Sequence, residues 1–207
     1  MKPSSKRLDQ TLSLIAGFYD RSKVGCEGSE GYRKSTDLDK FIRCARELKA
    51  LRLIDRQTTN FLDLGCADGR VNVLMSYFVH KSIGIEIDPD ILSDYRSHAS
   101  QLDLLLRENQ LDAAPGNVFV FTGNSLENET FGRIQTSTGV GFKDVDIFYT
   151  YITLHDAFAE KIAAEAKNDA LYLVYGFNKI LPHYTGLELL LPDVASQGIA
   201  ILYKKTG

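Results

Sequence analysis

The chain has 207 residues, 44% hydrophobic and 25% charged, with a net charge of −3 and a pI near 5.8. That is enough chain to bury one sizeable core, and the acidic balance gives no sign of a polyanion-binding surface. Cys26, Cys44 and Cys66 are odd in number and widely spaced, which fits reduced thiols better than a disulfide framework. No stretch approaches the roughly 20 apolar residues of a membrane span, and no apolar signal-peptide core follows the basic start "MKPSSKRLDQ". The expectation is a cytoplasmic protein.

In chain order, residues 7–19 predict a short helix with Leu8, Leu12, Ile15 and Phe18 on one side. Residues 21–35, "RSKVGCEGSEGYRKS", are rich in glycine and charge and read as a loop of lid-like composition. Ser35 or Thr36 then caps a second helix whose apolar face carries Leu38, Phe41, Ile42, Ala45, Leu48 and Leu51. No linker separates this part, so residues 1–57 read as a helical cover rather than an independent domain. Residues 58–207 form the main domain.

There, short apolar runs alternate with helical patterns. "FLDLG" is a first strand, "RVNVLMSYFV" a helix, "SIGIEI" a second strand, and Pro89 opens a long helix, proline being suited to a first turn. "NVFVFTG", "VDIFYTYI" and "ALYLVYG" are the third to fifth strands, with "HDAFAEKIAAEA" helical between the last two. Such alternation predicts a parallel sheet covered on both faces. "GLELLLPD" and "QGIAILYKK" are separated by only a turn and predict a closing antiparallel hairpin.

The chemistry concentrates after the strands. Gly65-Cys66-Ala67-Asp68-Gly69 follows the first strand, where bare backbone lets a ligand approach the rim of the sheet. Glu86 ends the second strand, 17 positions after Gly69, where a carboxylate can accept from both hydroxyls of a ribose. Gly123, Asn124 and Ser125 end the third. The loop does not have the Gly-x-Gly-x-x-Gly spacing of dinucleotide binders, and Asp68 would oppose a pyrophosphate.

The runs "LDLGCADGR", "GIEIDPDIL", "GNSLEN" and "DVDIFYTYI" resemble the class I S-adenosylmethionine-dependent methyltransferases over roughly residues 58–205. The resemblance implies their three-layer α/β Rossmann-like fold, with a seven-stranded, mostly parallel sheet ending in an antiparallel hairpin. It implies S-adenosyl-L-methionine as cofactor, with Asp63, Gly65, Cys66, Ala67, Asp68 and Gly69 around its methionine part and Glu86 on the ribose. Ile87 would flank the adenine, Asn124 and Ser125 would border its edge, and Tyr149 would lie beside it. Ala67 stands where the family often has glycine.

On the acceptor side, "FYTYITLHD" lacks the Asp/Asn-Pro-Pro-Tyr/Phe run of nucleobase amine methylases. No nucleic acid is expected, and no carboxylate cluster for a metal follows that strand. A narrower similarity, through "YLVYGFNKILPHY" as well, is to lysine methyltransferases related to the ATP synthase c-subunit enzyme and the telomeric-silencing family. It implies an amine acceptor, such as a protein lysine. Tyr149, Tyr151 and His155 are the candidate catalytic residues, with His155 as a possible base. Small-molecule methylation, aminopropyl transfer and cofactor binding without catalysis are the alternatives. The acceptor mouth is expected between Tyr149–Tyr151, the segment from Phe177 to Tyr184, and Tyr32.

Overall fold

The computed structural model describes residues 5–21, 27–28, 31–32, 35–177 and 181–207. Helix α1 (Ser5–Tyr19) leads to a two-residue antiparallel pairing of β1 (Glu27–Gly28) with β2 (Gly31–Tyr32), inside the stretch read from sequence as loop. Residues 22–26, 29–30 and 33–34 of that loop and the side chain of Tyr32 lie outside the described residues. Helix α2 (Leu38–Ala50) begins where the Asp37 carboxylate accepts from the amide of Lys40, a side-chain cap of the usual kind.

A seven-stranded sheet follows: β3 (Asn60–Asp63), β4 (Lys81–Glu86), β5 (Val118–Thr122), β6 (Ile147–Tyr151), β7 (Leu171–Tyr175), β8 (Leu187–Leu191) and β9 (Ala200–Lys205). Its order is β5-β4-β3-β6-β7-β9-β8. The pairings from β5 across to β7 are parallel, while β9 runs antiparallel to both neighbours. The chain leaves β3 toward one edge and β6 toward the other, so the two lie side by side at the reversal of connectivity. In open α/β sheets that is where ligands sit, at the carboxyl ends.

Helices α3 (Arg70–Met75), α4 (Pro89–Glu108), α5 (Asn128–Thr138) and α6 (His155–Glu165) connect the strands. Alternation along the strands splits the core. Phe61, Ile147, Tyr149, Leu173 and Tyr175 pack on one face with Leu12, Ile15 and Tyr19 of α1 and with Leu38, Phe41 and Leu48 of α2. Leu62, Ile83, Phe148, Tyr172 and Val174 pack on the other with Phe131 and Ile134 of α5 and Phe158 and Ile162 of α6. Burial on both faces explains why the parallel strands read as continuous apolar runs.

Besides the β1–β2 pairing, three elements differ from the sequence reading. Helix α2 ends at Ala50, so Leu51, expected on its apolar face, is exposed just past its last turn. Helix α5 was not expected, because Phe131 and Ile134 give it only two large apolar contacts amid threonines and Gly132. Helix α3 stops at Met75, short of the run read as helical. Among the described residues no helix is long and apolar enough to cross a membrane.

Candidate functional site

The loop between β3 and α3 is fixed from several sides. The amide of Cys66 donates to the Ile85 carbonyl (2.8 Å), and that of Ala67 to Glu86 Oε2 (3.0 Å). Leu64 donates to the Tyr149 carbonyl and accepts from the Ser125 hydroxyl (2.7 Å). Ala67 (φ 47°) and Gly69 (φ 74°) are both left-handed. For alanine that conformation is uncommon and is held only by surrounding contacts. Gly84 in β4 lets the loop lie close, since a Cβ there would meet Cys66 Sγ at 2.8 Å and Asn72 Oδ1 at 2.6 Å. Gly65 is different: a Cβ at that position would meet nothing within 4 Å. The loop therefore presents bare backbone to open space there.

The electrostatics are acidic. Asp63 is buried and accepts from the Gly65 amide (3.2 Å). Burial, with Glu86 and Asp68 nearby, pushes its carboxyl up to about 8. Glu86 is buried at the end of β4, its two oxygens accepting from the amides of Ala67 and Asp88 (3.0 Å each). A group of buried carboxylates is relieved by a cationic ligand and aggravated by a pyrophosphate. Cys66 is buried as well, its thiol pushed well up by desolvation and by Asp63. That favours a small packing residue over a nucleophile.

Some expected site residues point elsewhere. Asp68 does not face the rim: its carboxylate is 1% exposed and forks onto Arg70, with Nε to Oδ1 and Nη2 to Oδ2 both at 2.9 Å. Asn124 closes its own turn, accepting from the Leu126 amide and donating to Glu127, while Ser125 is buried on Leu64. Ile87 is exposed just past β4, leaving an apolar surface beside Glu86.

The three candidate catalytic residues separate. Tyr149 is 1% exposed, between Phe41 and Phe61, and its hydroxyl pairs with Thr36 Oγ1 at 2.6 Å. These contacts tie it to the core beside α2. Tyr151 is half-buried, with its ring against Gly176 (φ 103°) at the end of β7. His155 opens α6 near the other core layer, its Nδ1 2.7 Å from the Tyr184 hydroxyl and its ring edge-on to Phe177. Burial pushes the Tyr184 phenol up, so it stays neutral.

Sequence reasoning passed over Arg70, Tyr95 and Gly84. Tyr95 of α4 lies under the loop, where a Cβ on Gly69 would meet its ring at 2.5 Å. The one available signal was the glycine inside the strand "SIGIEI", since such a glycine marks close approach of another backbone. Among the described residues no group of three or more His, Cys, Asp or Glu could hold a metal ion.

Solved structures share this architecture. An RNA methyltransferase from Salinibacter ruber, in complex with S-adenosyl-L-homocysteine, aligns with a TM-score of 0.50 and 15% identity, covering 78% of this chain and 88% of that one. The rRNA methyltransferase aviRa from Streptomyces viridochromogenes aligns at 0.53 and 13%, over 98% and 93%. A mutant of MtNAS in complex with S-adenosylmethionine aligns at 0.51 and 14%, over 98% and 73%. No protein-family model and no curated protein matches the sequence. At these identities the likeness is one of fold. The seven-stranded, mostly parallel sheet with its antiparallel hairpin is the class I S-adenosylmethionine-dependent methyltransferase fold.

Proposed function

We propose that the protein binds S-adenosylmethionine over the β3–α3 loop and transfers its methyl group to an amine. One observation carries the cofactor half: Gly65 leaves open space beside Asp63, whose carboxyl is held up to about 8 among other acids. A ligand bearing an ammonium and a sulfonium suits that surface. When bound, the cofactor supplies a methyl group made electrophilic by the positive sulfur.

The chain's residues would do the rest. Asp63 would face the cationic amino-acid end. Glu86, whose carboxylate accepts from the amides of Ala67 and Asp88 at the end of β4, would hold the ribose hydroxyls. Ile87 would give the base an apolar surface, with Asn124 and Ser125 at its border. An amine attacks only after losing its proton, and positioning with exclusion of water supplies much of what that step needs. Tyr151 and His155, one on each side of the carboxyl rim, would line the acceptor's approach, with His155 held by Tyr184 and able to take the proton. Tyr149 would support the strand end beneath them.

A protein lysine is the acceptor this reading favours, from the "DVDIFYTYI" and "YLVYGFNKILPHY" runs. Two of the structural neighbours are RNA methyltransferases. The expectation that nucleic acid is excluded is therefore dropped, and RNA stands as the alternative acceptor. Labelled methyl transfer from S-adenosylmethionine into the host's protein and RNA fractions decides between them. Label in protein that resists nuclease and resides on lysine supports the proposal, and label only in RNA replaces it. Tight binding of S-adenosylhomocysteine without transfer to either fraction would leave a cofactor-binding regulatory protein.

A further inference from the structure

The left-handed residues Ala67 and Gly69 flank Asp68, so the shape of the loop depends on what holds that carboxylate. Arg70, the first residue of α3, holds it with the two 2.9 Å contacts and a backbone amide at 3.3 Å. The same guanidinium lies over the Tyr19 ring, 5.6 Å from its centroid, with Nη1 4.0 Å from Asp20 Oδ1 at the end of α1. The Asp20 carboxylate in turn accepts from the amides of Leu38 (3.0 Å) and Asp39 (3.1 Å) in the first turn of α2. The Tyr19 hydroxyl is buried beside this cluster without a hydrogen bond, and His98 Nδ1 lies 3.7 Å from Asp68 Oδ2. Among the described residues, Arg70 makes polar contact both with the loop, through Asp68, and with the end of α1, through Asp20.

We propose that Arg70 is a positioning residue that couples the shape of the ligand loop to the docking of α1 and α2, so that ligand binding and helix docking favour each other. The inference rests on the reading of the loop as the cofactor's cradle. If only the held loop binds, affinity scales with the fraction of molecules in which the loop is held. By reciprocity, a ligand on the loop must stabilise the helices by the same factor.

The test uses the full chain with S-adenosylhomocysteine as probe, followed by calorimetry and amide hydrogen exchange. Removing Arg70 outright would leave Asp68 buried without its partner and could unfold the protein. The variants are therefore Arg70→Lys, which keeps the charge but loses the fork, and Asp20→Asn, which keeps an acceptor for the α2 amides. Both should weaken binding by about fivefold or more, within the usual range of coupling between sites. Both should also speed exchange in α1 and the first turn of α2 before any ligand is added. In the wild type the ligand should slow exchange there as well as in the loop, and in the variants only in the loop.

Ile162→Ala, a cavity in the core layer on the other side of the sheet, controls for general destabilisation. It should lower the melting temperature without changing exchange in α1 or the affinity. Unchanged exchange in α1 and α2 in both variants, or equal effects from Ile162→Ala, would overturn the coupling. A wild type that binds no S-adenosylhomocysteine would overturn the functional reading instead, and the ligand-free exchange comparison would still decide the coupling.

Discussion

Asp63 shares a buried corner with Glu86 and Asp68, and its carboxyl sits at about 8 instead of near 4. The sign follows directly. Between about pH 4 and 8 the folded protein holds a proton there that the unfolded chain has released, so stability falls as pH rises through that window. Asp63→Asn should flatten the decline and make the protein more stable than wild type at pH 8, as denaturant unfolding at pH 5 and 8 would show. A cationic ligand reverses the preference, because it favours the ionised carboxylate. Affinity for S-adenosylmethionine, which carries both the ammonium and the sulfonium, should therefore rise between pH 6 and 8 with release of a proton, and calorimetry in buffers of different ionisation heat reads that proton. Affinity independent of pH in this range would remove Asp63 from the site.

Gly65 and Gly69 should respond oppositely. Gly65 has no positive φ and open space at its Cβ, so Gly65→Val should fold with an unchanged melting temperature and lose ligand binding. Gly69→Ala meets the Tyr95 ring at 2.5 Å in a left-handed conformation and should destabilise the fold itself. Comparing the two melting curves separates a ligand surface from a packing requirement. The sequence alone could not, since both glycines look alike in "GCADG".

Among the elements, α1 and α2 are less a detachable cover than one wall of the core. Leu12 and Ile15 have no exposure at all, so Leu12→Ala should cost about 2–5 kcal/mol, measurable by urea unfolding. Removing residues 1–34, lid-like loop included, would strip Leu12, Ile15 and Tyr19 from that core. Such a truncation cannot isolate the role of the loop. Tyr149→Phe leaves the Thr36 hydroxyl buried without its partner and should cost about 1–3 kcal/mol of stability. Tyr151 has no hydroxyl contact of that kind among those described, so Tyr151→Phe should lower methyl transfer with little change in stability. Equal loss of stability in the two variants would contradict this division.

The strands and the long α4 were legible in the sequence because periodicity, proline at a first turn and two-sided burial leave local traces. What was illegible depends on partners distant in sequence. Helix α5 owes its place to packing of Phe131 against Phe142, not to a pattern of its own. Asp68 looked like a rim acid because nothing in "ADGR" reveals that Arg70 folds back onto it. Tyr149 and Tyr151 were correctly placed on one face by alternation, but which of them reaches the rim depends on Thr36 and α2, more than a hundred residues earlier.

At the scale of the molecule, the order β5-β4-β3-β6-β7-β9-β8 puts the bare loop, Glu86 and Ile87 on one side of the reversal point, and Tyr151 and His155 on the other. The central claim is that this crevice is built for S-adenosylmethionine, whose nucleoside and ammonium are shared by its product S-adenosylhomocysteine. Calorimetric titration of the full chain with S-adenosylhomocysteine and with NADH, at pH 8, tests it most directly. The account predicts saturable one-to-one binding of S-adenosylhomocysteine, lost in Gly65→Val and weakened in Glu86→Ala, with no comparable affinity for NADH. Tighter binding of NADH, or S-adenosylhomocysteine binding that survives both substitutions, would contradict it.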